Sequence, residues 1–133
     1  RLYDELNSSH LCVHGASRQA LAIAYVQVNL ADEFRSPVVN NRAMEGVAPE
    51  VTRHKQPQAT QRVLDKVAEI PRRSAASESG FDAVGITVLS LRNDGSPVQI
   101  VHGPPAPAPG DNFQYESMIV RMANEYDTTF AHI

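Results

Sequence analysis

The residue types best suited to chemistry cluster in SSHLCVHG, residues 8–15, where His10, Cys12 and His14 alternate with Leu11 and Val13. Imidazoles and thiolates are zinc ligands, and a thiol beside an imidazole is the usual pair of an activated nucleophile. If the segment is a strand, all three side chains share one face. Neighbours on that face are about 6.6 Å apart, and His10 and His14 about 13 Å. Zinc bonds run to about 2.1 Å for nitrogen and about 2.3 Å for sulfur. Two neighbours could chelate one ion, but a site would need further ligands. The other histidines, His54, His102 and His132, stand alone, and Cys12 is the single cysteine. No CxxC or HExxH occurs. The reading is a short segment with a buried thiol and partly exposed histidines. A small-molecule or metal-dependent enzyme using His10, Cys12 and His14 stands as an alternative.

Other catalytic constellations are missing from the sequence. GxSxG, GxxxxGK[ST] and GxGxxG do not occur. Asp32 and Glu33, if extended, point to opposite faces. Nucleases of the restriction type typically place a carboxylate two residues before a lysine. Here Lys55 follows Arg53 and Lys66 follows Leu64, while YVQVNL carries Gln27 and Asn29 where acid and base would be. No catalytic residue is assigned, and whether the chain is an enzyme stays open.

Charge supplies the stronger signal. The chain of 133 residues has a net charge of −3, yet half of its 12 Lys and Arg lie between residues 53 and 73. Arg53, Lys55, Arg62, Lys66, Arg72 and Arg73 face only Asp65 and Glu69 there. A basic stripe on an acidic protein is where an anionic partner docks, and several Lys and Arg on one helix are the usual source of phosphate affinity. A solvated helix face is the competing reading.

These groups must be held by a small layered fold. Leu21–Leu30 reads as a mostly buried strand. Residues 34–57, with Pro37, Asn40, Asn41, Gly46 and Pro49, form a long polar connection. Residues 57–70 read as a helix, since Val63, Val67 and Ile70 fall on one stripe, Leu64 widens it and Pro71 ends it. Phe81–Leu91 is almost continuously apolar, as a strand covered on both faces is. Asp94-Gly95 turns the chain into an edge strand over Val98–His102, which Pro97 keeps at the margin. The proline-rich connector, residues 103–110, is expected to be extended, and its Pro104-x-x-Pro107 spacing suits an aromatic groove on a partner. Asp111 is placed to cap a last helix over residues 112–127, with Tyr115, Met118, Ile119, Met122 and Tyr126 as its buried stripe. The class is α+β or α/β, a single-layer sheet of about three or more strands packed by two main helices.

Size and composition agree with one domain. Apolar residues are 42% and charged residues 20% of the chain, ordinary for a globular protein. The longest apolar run, residues 20–26, is far short of the roughly 20 residues a membrane span needs, so no membrane partner is expected. A lone cysteine fits a reducing, cytoplasmic compartment. Because Arg1 opens the chain, it is read as a processed product or a piece of a longer polypeptide.

The run RHKQPQATQRVLDKVAEIPRRS, with GFDAVGI, NDGSPVQIV and PPAPAPGD after it, resembles segments of bacterial proteins associated with restriction–modification systems. It spans residues 53–111. The resemblance implies DNA as the partner and a structural or recognition role for this portion. Independently of the resemblance, the basic window offers Arg53, Lys55, Arg62, Lys66, Arg72 and Arg73 as the phosphate contacts. A protein-interaction or homo-oligomeric module without catalysis is the rival class.

Overall fold

A computed structural model describes residues 1–36 and 51–130. In chain order they form α1 (Leu2–Ala16), β1 (Ile23–Asn29), β2 (Glu33–Arg35), β3 (Val51–Arg53), α2 (Gln58–Ala68), β4 (Ala83–Ser90), β5 (Gln99–Ile100) and α3 (Tyr115–Phe130). The central sheet has the order β1-β4-β5, and β2 and β3 make a separate antiparallel pair. The α+β class therefore holds, with one helix more than expected. Most of the polar connection expected over 34–57 lies outside the described residues.

β1 runs parallel to β4, from Ile23 beside Ala83 to Asn29 beside Leu89. Parallel neighbours need a crossover of a dozen or more residues, and α2 lies within it. The register aligns two apolar rows: Ala24, Val26 and Val28 lie beside Val84, Ile86 and Val88, and all six are buried. Leu64 and Val67 of α2 and Ile70 beyond it complete that core, with Tyr3 and Leu6 of α1 packed against it. The helix stripe read in the sequence is the one buried, save that Val63 is only half-buried.

The opposite face carries Tyr25, Gly85 and Thr87, since side chains alternate along a strand. α3 approaches here: a Cβ on Gly85 would lie 2.5 Å from Met118 Sδ and 3.0 Å from its Cβ. Glycine is what lets the helix sit so close. Met118 is the buried member of the expected stripe, while Ile119 and Met122 are half-buried and Tyr115 and Tyr126 are exposed. α3 also begins later than expected. Asp111 does not cap it; its carboxylate accepts from the Phe113 N–H at 2.8 Å, shaping a turn ahead of the helix.

Two further expectations are corrected. The edge strand is real but short, pairing with β4 only at Gln99 and Ile100. The proline-rich connector is not extended. It folds through turns closed by Ala106 N–H to Gly103 O and Asp111 N–H to Ala108 O, and Ala106 packs on the core.

Candidate functional site

Residues 10–14 lie on a helix, not a strand, and this reverses the expected exposures. At 100° per residue, positions four apart share a face and positions two apart do not. His10 and His14 are therefore buried together, at 1% and 8% exposure, while Cys12 is exposed on another side of α1. The three groups do not converge on one site. Among the described residues no three His, Cys, Asp or Glu side chains come together as metal ligands would.

The imidazoles instead join an internal polar cluster. His14 Nε2 lies 3.1 Å from Ala20 O and 3.2 Å from Asp82 Oδ2. A carbonyl can only accept, so Nε2 carries the proton. Asp82 Oδ2 also accepts from the Ala22 N–H at 2.8 Å, and Oδ1 from Arg73 Nε at 2.8 Å. Arg73 spends a terminal nitrogen on Arg18 O and Ala20 O. Arg121 of α3 then donates to the carbonyls of Asp82 and Arg73. His10 stands beside this cluster, its Nε2 2.9 Å from Asn7 Oδ1 and its ring edge-on to Phe81 at 5.2 Å. Burial, then the nearby His14 and Arg73, lower its pKa. His14 and Asp82 resemble a catalytic dyad only on paper, because neither can meet a substrate. They bind α1 to the start of β1 and the approach to β4.

The basic window divides under the fold. Arg73 is buried at 3% exposure with its guanidinium fully engaged, so it is not a phosphate contact. Arg72 is half-buried and stacks over the Phe113 ring at 4.5 Å, where burial and then Arg121 lower its pKa. Arg53, Lys55, Arg62 and Lys66 are exposed. Arg62 and Lys66 are one turn apart on α2. The Lys55 carbonyl accepts from the Ala59 N–H at 2.9 Å, so Lys55 sits in the turn just ahead of α2. Arg53 meets Glu33 and Lys66 meets Glu69, each at 3.2 Å, whereas Lys55 and Arg62 pair with no carboxylate among the described residues.

Among the described residues, two of the hollows adjoin the sheet. The first, about 540 Å³, lies at the carboxyl ends of β1 and β4, where open α/β sheets commonly hold ligands. Its Gln56, Asn29 and Thr60 side chains are already used. Gln56 donates to Asn29 O and Ala31 O and accepts the Thr60 N–H, thereby capping α2. The Asn29 carboxamide is bonded to Leu91 and Ala31 backbone groups. With the Thr60 N–H taken, the start of α2 is a poor anion seat.

The second hollow, about 350 Å³, lies over the β1–β4 face between the proline-rich turns and the start of α3. Tyr25, Tyr115, Pro107, Pro109, Ile100 and Glu116 are among its walls. The prolines thus wall a groove in this chain instead of forming a free strap. Sequence reading missed this site, because Tyr25 and Tyr115 are far apart along the chain and neither was singled out with the other.

No family model, curated protein or solved structure matches the chain.

Proposed function

We propose that this chain is a non-catalytic domain that docks on the phosphate backbone of DNA through Arg53, Lys55, Arg62 and Lys66. The observation that supports it best is the pairing of Lys55 and Arg62. Both are exposed, Lys55 just ahead of α2 and Arg62 on it, and neither is neutralised among the described residues. Arg53 and Lys66 are held only by exposed ion pairs, which are worth about 0–1 kcal/mol and exchange readily for a phosphate. The resemblance to restriction–modification-associated proteins names the same partner, and a cytoplasmic setting goes with it. Arg72 and Arg73, expected in this set, drop out because one stacks on Phe113 and the other holds Asp82.

Fluorescence-anisotropy titration of a labelled duplex at several salt concentrations tests this. Four neutralised phosphates give a log–log salt slope near −0.9 times that number. Replacing Lys55 and Arg62 by alanine removes about two of those contacts and weakens all sequences alike. Arg72→Ala leaves the slope unchanged. Absence of binding by the native chain at low salt would overturn the proposal.

A further inference from the structure

We infer that the hollow between β1, the proline-rich turns and the start of α3 binds a small quaternary ammonium compound. Two tyrosines carry the argument. The rings of Tyr25 and Tyr115 meet at 5.4 Å between centroids and 61° between planes, and each residue is 45% exposed. The Tyr25 hydroxyl donates to Thr87 Oγ1 at 2.7 Å, which fixes that ring against the sheet. Both tyrosines line the same hollow and present aromatic surface to it.

The chemistry of the remaining walls selects the ligand. Ile100, Pro107 and Pro109 add apolar surface, and His102 and Gln114 stand among the polar walls. Among the described residues, Glu116 in the first turn of α3 is the one carboxylate of the lining, no Lys or Arg joins it there, and it pairs with no cation. An anion would therefore meet Glu116 with no Lys or Arg of the lining to offset it. A strongly hydrated small cation would lose its water to rings and prolines. A cation clothed in methyl groups suits both features, since it desolvates easily and is attracted to aromatic faces and to a carboxylate. At about 350 Å³ the hollow falls at the small end of ordinary small-molecule sites. Among the described residues this site shares none with Arg53, Lys55, Arg62 or Lys66, so the two proposals stand or fall separately.

Choline and its neutral isostere 3,3-dimethylbutan-1-ol separate charge from shape. Titrated into the intact chain and followed by tyrosine ring proton shifts in NMR, choline should move the Tyr25 and Tyr115 signals. It should bind on the order of tenfold more tightly than the isostere. Tyr115→Phe should retain binding, Tyr115→Ala should lose it, and Glu116→Gln should weaken choline while leaving the isostere unchanged. Thermal melts of each variant establish that it is folded. Equal binding of the two compounds would show a merely apolar hollow and overturn the inference, as would no response of the native chain to choline.

Discussion

Arg73 and Asp82 form an ion pair inside the protein, Nε to Oδ1 at 2.8 Å, with 4% and 5% of their side chains exposed. The pair joins the segment after α2 to the approach of β4, and through His14 and Arg121 it reaches both α1 and α3. A buried pair of this kind is weak as net stabilisation, because desolvation offsets attraction. Removing one partner is a different matter, since it strands the other charge.

Asp82→Asn is therefore expected to destabilise the chain by about 3–5 kcal/mol. The substitution preserves shape while leaving Arg73 without a counter-charge. Urea unfolding followed by circular dichroism measures the loss. A shift of the midpoint no larger than that of an exposed control, Asp65→Asn, would contradict the clasp described above.

Stability should fall on acidification through His10. Its folded pKa lies below the ordinary histidine value of 6.5, through burial first and then His14 and Arg73. The neutral ring is thus the folded form. Its contribution is present above about pH 6.5 and is lost as pH falls toward the depressed value. The surrounding groups are Asn7 and His14 on α1, Phe81, and the Arg73–Asp82 pair. Among the described residues Asp82 is the carboxylate at this cluster, and Arg73 already occupies it. In His10→Leu the midpoint should change less than in the native chain between about pH 7.5 and 5. Parallel pH profiles for the two would exclude His10 as the sensing group.

Cys12 should label quickly with a thiol reagent in the native state. Its side lies away from His10 and His14, and it is exposed on α1. The expected readout is a native rate close to that of the unfolded chain, in contrast to a core thiol. Strong protection without denaturant would mean that α1 buries a different face.

Gly85 to alanine should cost about 1–3 kcal/mol, because the new methyl group meets Met118 at the β4–α3 contact. Met118→Ala should cost stability alone yet relieve part of the Gly85→Ala loss when combined. A double-mutant cycle gives the coupling. Additive effects would place α3 farther from the sheet.

The sequence by itself determined the parts whose burial follows a repeating apolar pattern. β1, α2 and β4 were legible because Ala24, Val26 and Val28 alternate, Leu64 and Val67 fall on one stripe before Pro71, and residues 83–88 are apolar almost throughout. α1 was not legible. Its apolar Leu2, Leu11 and Val13 are exposed, and its buried positions are histidines. Burying an imidazole requires partners, and those of His14 and His10 include Asp82 and Phe81, which arrive from the far end of the βαβ crossover. Only the tertiary structure could decide that exchange. It also separated Arg72 from Arg73, which are equivalent in any count of charge. The chain beyond Pro71 runs beside Phe81 in an isolated bridge. Neighbouring side chains on extended backbone point to opposite sides, so one guanidinium enters the core against Asp82 and the other lies over Phe113.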